Sequence, residues 1–217
     1  MVDKTSAVLD KVSAIPPGAD NVACCGSPAR SKPRDRIVTT ARELFHQQGF
    51  RGVGVETIAE AAGTNKMTLY RHFGSKDELI VECLRGVAAD AEALWRDLAL
   101  VHHADPKAHL LAWVREKADY VLNDCRGCTL ANAAVEITEA DHPARRFIEE
   151  CKSAYRARLV DLCAAAGVAE AELLADALSL LLEGARVSRQ SGGVESPSAK
   201  FIRTADAMIT AFAANKA

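Results

Sequence analysis

Two short apolar-periodic stretches, hinged at Gly63-Thr64-Asn65 and closed by Gly74, constrain this chain more than anything else in it. Val55, Ile58, Ala59 and Ala62 recur at the spacing of one helix face, and Gly63 stops that helix. Lys66 to Phe73 leaves room for about two helical turns before the next glycine. Upstream, from Arg34, the residues Ile37, Ala41, Leu44, Phe45 and Gln48 keep the same rhythm until Gly49. The spacing therefore predicts three consecutive short helices, of which the second props the third.

The rest of the chain is predicted helical as well. Ser75 with Glu78 three residues on is a capping box. It opens a helix whose apolar face is Leu79, Cys83, Val87, Leu94 and Leu98, reaching about Leu100. Asp105-Pro106 starts a helix to about Asn123, and Arg126-Gly127 breaks it. A shorter helix follows through Ile137, and His142-Pro143 opens a long one ending at Gly167. Ala169–Arg189 is strongly apolar. Gly192-Gly193 and Pro197 interrupt the chain before a last helix, Ser198–Ala214. No run alternates apolar and polar residues as a half-buried strand does. The expected fold class is all-α.

Composition sets the outer bounds. With 217 residues the chain can bury a sizeable core without staples. A net charge of -2 excludes a polybasic coat but not a local basic patch. The stretch 30–82 carries a small excess of basic residues. Arg30, Lys32, Arg34 and Arg36 lie just before or at the start of the first helix, as a phosphate-seeking arm or as a solubilising charged run. Residues 1–33 hold Pro16, Pro17, Gly18, Gly26, Pro28 and Pro33 without periodicity, which predicts a flexible arm with room for a short helix around Thr5–Ala14. Apolar runs such as Ala177–Leu182 are too short to span a bilayer. Asp3, Lys4, Asp10 and Lys11 interrupt any signal-peptide core. Seven cysteines, an odd count in a chain this long, point to free thiols in a reducing cytoplasm.

Two short helices around a glycine turn are the sequence form of a helix-turn-helix, whose second helix must be slim enough for the major groove of DNA. With about 100° per residue, Leu69 and Phe73 fall on one face of the Lys66–Phe73 helix, toward Ile58, Ala62 and Phe45. Met67, Thr68 and Arg71 lie opposite, facing a groove floor. Lys66 and Tyr70 sit on one flank and His72 on the other, where phosphate walls run.

The strings Ile58-Ala59-Glu60-Ala61-Ala62-Gly63 and Thr68-Leu69-Tyr70-Arg71-His72-Phe73-Gly74-Ser75-Lys76-Asp77-Glu78-Leu79 resemble the DNA-binding domain of the tetracycline-repressor (TetR) family of bacterial transcriptional regulators. The preceding helix, with Ala41, Leu44, Phe45 and Gly49-Phe50, is similar to that family's first helix. The resemblance implies that Tyr70, His72 and Lys76 contact mainly the DNA backbone. It also implies that Thr68 and neighbours of Lys66 approach bases. Two positions depart from the family pattern. Gly54 stands where Ser or Thr usually caps the second helix, and Met67 stands where the third helix often carries glycine. The expected nucleic-acid-contacting set is Lys66, Met67, Thr68, Tyr70, Arg71, His72 and Lys76.

The expected organisation is an arm over 1–33, an N-terminal three-helix helix-turn-helix domain over 34–80, and a larger helical ligand-binding and dimerisation domain over 81–217. The resemblance implies a homodimer on a palindromic double-stranded operator, released by a small-molecule effector, and so a repressor. A dimer also answers the small footprint of a single reading helix. Leu173, Leu174, Leu178, Leu181, Leu182, Phe201, Ile202, Met208, Ile209 and Phe212 supply an apolar surplus for its interface, divided between that role and the core. The amphiphilic residues expected to line a pocket are Trp113, Lys117, Tyr120, Asn123, Asn132, Glu136, Phe147, Cys151 and Tyr155.

A second reading rests on Cys125-Arg126-Gly127-Cys128, a CxxC, as a redox pair, half a metal site or two incidental thiols. A zinc site lacks a second CxxC, so no metal is assigned. A helical thiol enzyme of alkyl-hydroperoxidase type needs a nearby histidine, and Asn132 stands there instead. Cys24-Cys25 reads as incidental, and Cys83, Cys151 and Cys163 as core. No catalytic constellation or cofactor motif is present, and a non-enzymatic regulator is expected.

Overall fold

The computed structural model describes residues 32–124 and 126–214. These residues form α1 (Pro33–Gln48), α2 (Val55–Ala61), α3 (Lys66–Phe73), α4 (Lys76–Val101), α5 (Pro106–Asn123), α6 (Thr129–Glu136), α7 (Pro143–Ala165), α8 (Ala171–Gly192), a 3₁₀ turn (Pro197–Lys200) and α9 (Phe201–Ala214). The fold is all-α. The last helix, expected from Ser198, starts as α9 at Phe201, and the expected first turn takes the tighter 3₁₀ form. The helix expected around Thr5–Ala14, the thiols Cys24-Cys25 and Cys125 lie outside the described residues.

Local chemistry explains the short elements. Gly63 at φ 63 ends α2, and the Asn65 side chain accepts the Thr68 N–H at 2.9 Å to start α3. Such a cap contributes about 1 kcal/mol, a large share for a helix of two turns. Gly54 opens α2 with no side-chain cap. Ser75 Oγ accepts the Glu78 N–H and Asp105 accepts the Ala108 N–H, opening α4 and α5 at the expected residues. Gln48, which continues the apolar rhythm of α1, is exposed because Gly49 turns the chain away there.

Two apolar cores follow. In the first, Ile37, Ala41 and Phe45 of α1 meet Ile58, Leu69, Phe73 and the first half of α4 through Leu79, Ile80 and Leu84. Ala133 and Ile137 around α6 and Ala144 and Ile148 of α7 close it. The three-helix unit thus shares its core with later helices, and residue 80 falls inside the unbroken α4. The second core gathers α5, α7, α8 and α9 around Leu110, Trp113, Leu159, Leu174 and Leu178.

The apolar surplus on α8 and α9 divides. Leu174, Leu178, Leu182, Phe201 and Ile209 are core, and Leu181, Met208 and Phe212 pack against it. Leu173 and Ile202 are exposed. Sequence reasoning missed the two other exposed members of the stripe, Leu180 at 74% and Val187 at 62%. Leu173, Leu180 and Val187 are seven residues apart, one solvent-facing line along α8. Gly184 lies between them with open space at its Cα.

Candidate nucleic-acid interface and inner cavity

α3 is anchored by Leu69 and Phe73, both buried. Its other face turns to solvent. Met67 is 77% exposed, Arg71 and His72 are exposed, Tyr70 lies at the rim and Thr68 is half-buried at the first turn. Met67 thus leaves its apolar side chain in solvent on the outer face of α3. Lys66 is exposed but pairs with Glu56 of α2, and its ammonium lies 5.8 Å from the Tyr70 ring. That pair holds the Lys66 ammonium above its usual range and the Glu56 carboxyl below its own, each first through their hydrogen bond.

Lys76 is placed differently. Its Nζ donates to the Phe50 carbonyl at 2.7 Å and lies 5.9 Å from the Phe45 ring, and burial pushes its pKa down. The ammonium ties the start of α4 to the loop after α1 and is turned inward. The basic run before α1 is also tied down. Arg34 pairs with Glu82 and covers the Phe73 ring, while Arg36 donates to the carbonyls of Ala62 and Gly63 at the end of α2. Arg30 lies outside the described residues.

A polar seam joins this unit to the later helices. Glu136 Oε2 accepts the backbone N–H of Phe50 at 2.6 Å and of Arg51 at 3.2 Å. The Arg51 guanidinium reaches the Glu136 carbonyl, Thr138 and Glu139. His46 bridges Asp124 at 3.1 Å and Thr129 at 3.3 Å, and Arg126 donates to the His46 carbonyl at 2.9 Å. Glu136, expected in a pocket, is therefore a carboxylate cap on the loop between α1 and α2. Nothing in its own helix signals this, since its partners are 86 and 85 residues away.

Behind the seam lies a cavity of about 970 Å³. It is lined from α1 (Thr39, Arg42, Phe45, His46), α4 (Leu94, Trp95), α5 (Lys117, Tyr120), the start of α6 (Cys128, Leu130), α7 (Cys151, Lys152, Tyr155) and α8 (Leu182, Glu183, Arg186). Of the residues expected to line a pocket, Lys117, Tyr120, Cys151 and Tyr155 lie on this wall. Trp113 is fully buried behind it and donates its indole N–H to the Tyr155 hydroxyl at 2.8 Å. Phe147 packs on the first core, and Asn132 Nδ2 holds the Arg126 carbonyl at 2.7 Å. Neither of those two, nor Glu136 or Asn123, lines the cavity. Helix facing gave Tyr155 and Tyr120. It missed Arg186, which follows Leu182 by four residues at the edge of the core-facing side of α8.

Cys83 and Cys163 are buried thiols pushed up by desolvation to about 12 and about 11, so neither is a nucleophile. Cys151, expected as core, is half-exposed on the cavity wall. Cys128 lies 3.9 Å from Lys152 Nζ. Among the described residues no group of three or more His, Cys, Asp or Glu could hold a metal ion, and no helix is long and apolar enough to cross a membrane.

The family model for bacterial regulatory proteins of the tetR family matches residues 37–83, the span from α1 into α4. Among curated proteins, the chain is 34% identical over 99 residues to the HTH-type transcriptional repressor KstR2 of Rhodococcus jostii, covering 46% of each chain. It is 31% identical over 110 residues to the HTH-type transcriptional activator FasR of Mycolicibacterium smegmatis, covering 51% of this chain and 50% of that one. The matched region thus spans about half the length of these curated relatives. The fold is that of a TetR-family transcriptional regulator from Streptomyces coelicolor, at 24% identity and a TM-score of 0.75 over 83% of this chain and 96% of that one.

Proposed function

We propose that this chain, whose residues 37–83 match the model for bacterial regulatory proteins of the tetR family, is a DNA-binding transcriptional repressor of that family. Two copies bind a palindromic operator, each laying α3 in the major groove, and a small molecule in the cavity releases them. The observation that carries this reading is the α3 surface: Met67, Arg71 and His72 exposed on a capped two-turn helix whose opposite face is locked by Leu69 and Phe73. Thr68 and Arg71 can hydrogen-bond base edges, and Met67 can touch a thymine methyl. Tyr70 and His72 face the phosphates.

Dimerisation is supported by the line of Leu173, Leu180 and Val187, which leaves bulky apolar side chains in water at a spacing suited to a second helix. Effector control is supported by the cavity wall. It includes both α1 and α5–α8, so a ligand filling it touches the unit that carries α3 and the helices that carry the dimer face. The seam at Glu136 and His46 links the same two parts. Regulation of this kind needs only about 1–3 kcal/mol of coupling. The division at residue 80 is functional, with the DNA-facing part before it and the dimer face and most of the effector cavity after it.

Fluorescence anisotropy with DNA from upstream of the chain's own gene, against a shuffled fragment at several salt concentrations, tests the reading. Binding to the native fragment alone, weakened at least tenfold by Arg71→Ala, is expected. Equal binding to both fragments at every salt concentration, unchanged by that substitution, overturns it.

A further inference from the structure

We propose that the cavity takes an organic anion, a single carboxylate on an apolar body, with the carboxylate seated among Lys117, Arg186 and Tyr155. The proposal rests on the regulator reading for its consequence, and on the cavity alone for its chemistry.

Most charges on the wall are already matched. Arg42 pairs with Asp90, Arg158 with Glu92, Arg156 with Asp176, His46 with Asp124 and Lys152 with Glu183. Lys117 is the exception. It is 7% exposed, and among the described residues no carboxylate lies within ion-pair distance of it; its ammonium rests 5.7 Å from the Tyr155 ring. Arg186 adds a second cation. Its Nε is buried without a hydrogen-bond partner among the described residues, and its far end reaches Glu183 only at 3.5 Å, where Lys152 is already bound. Tyr155 accepts the Trp113 indole N–H, so its own O–H remains to donate, and burial keeps that phenol protonated.

Lys117 and the Tyr155 hydroxyl therefore face the cavity without an acceptor among the described residues, and Arg186 adds a third donor whose Nε has none. A buried cation without a counter-ion is costly, and a protein that keeps one holds it for something that arrives. Burial pushes the Lys117 ammonium down to about 8, which still leaves it charged at neutral pH. The neighbouring Glu116 also lies on the cavity wall and draws the lysine's value back up in part, but it is half-exposed and forms no ion pair with Lys117. Leu94, Trp95, Leu130 and Leu182 line the remainder of the cavity and suit an apolar body. A neutral ligand leaves Lys117 unpaired, and a cationic one adds to its charge.

Isothermal titration of the full chain at pH 7 with decanoate, decan-1-ol and decyltrimethylammonium, without DNA, tests this. Decanoate is expected to bind at least tenfold tighter than the alcohol, with the ammonium amphiphile not binding. Lys117→Met removes the preference while the alcohol still binds, Lys117→Arg keeps it, and Arg186→Gln weakens it; circular dichroism checks that each variant is folded. Equal or tighter binding of the alcohol, a preference that survives Lys117→Met, or no binding of any of the three overturns the proposal. A protein that binds decanoate but no upstream DNA keeps this cavity chemistry and loses the regulator reading. The reverse result separates the two the other way.

Discussion

The carboxylate of Glu136 occupies the space that a side chain on Gly49 would fill. A Cβ built on Gly49 lies 2.8 Å from Glu136 Oε2, and Gly49 itself sits at φ 83. The glycine does two things at once: it turns the chain at the end of α1, and it lets a carboxylate from α6 approach the N–H groups of Phe50 and Arg51. The joint between the DNA-facing helices and the cavity helices is thus made by a backbone that only glycine adopts easily.

Gly49→Ala is expected to lower stability by about 1–3 kcal/mol, from the left-handed backbone and the displaced carboxylate. Glu136→Ala leaves two N–H groups without their acceptor and is expected to cost about 1–3 kcal/mol. The two losses are expected to be less than additive, because both break the same contact. Thermal unfolding of the two single variants and the double variant measures this, and strict additivity contradicts the shared joint.

Lys76→Ala is expected to lower the melting temperature by several degrees, because Nζ binds the Phe50 carbonyl inside the protein. The salt dependence of DNA binding is expected to stay as it is. A residue that instead neutralised a phosphate would reduce the slope of log K against log salt by about 1 when removed, with little change in stability.

Leu180→Arg is expected to shift the chain to monomer in sedimentation velocity without unfolding it, since Leu180 is exposed in the single chain. Specific DNA affinity falls with it, as one reading helix remains per particle. An intact dimer with this substitution would move the interface away from the Leu173–Val187 line.

Lys117 makes stability depend on pH in a defined direction. Its ordinary value is 10.5 and burial, followed by repulsion from Arg186, brings the folded value to about 8. Below pH 8 both folded and unfolded chains carry the charge, and the full penalty of burying it is present. From pH 8 upward the folded chain sheds the proton first, so this penalty, about 3 kcal/mol at most, is progressively relieved. Cys83, Cys163 and Tyr155, whose values are raised by burial, act in the opposite sense at alkaline pH. The difference between wild type and Lys117→Met isolates the lysine. Lys117→Met is expected to melt higher at pH 7, with the gap closing by pH 10, and a gap that does not change with pH would show that Lys117 is not buried as a cation.

What the sequence determined by itself is the part of the molecule written in local, repeating chemistry. Glycines after α1, α2 and α3 and polar caps before α3, α4 and α5 fall where the sequence puts them, and the angular arithmetic of α3 separates Leu69 and Phe73 from Met67 and Arg71, because helix periodicity and capping act over three or four residues. The tertiary structure alone decided which polar groups meet across long separations. Glu136 reads as a pocket acid on α6, yet it caps Phe50; Lys76 reads as a phosphate contact, yet it faces the Phe50 carbonyl; Phe147 and Trp113 read as cavity walls, yet they pack behind it. Periodicity marks which face of a helix is buried, and the packing of the whole chain decides what that face is buried against. Lys117 belongs to the same class, since only the assembled wall shows that Glu183 is already held by Lys152 and Arg186 and that no carboxylate among the described residues pairs with the lysine.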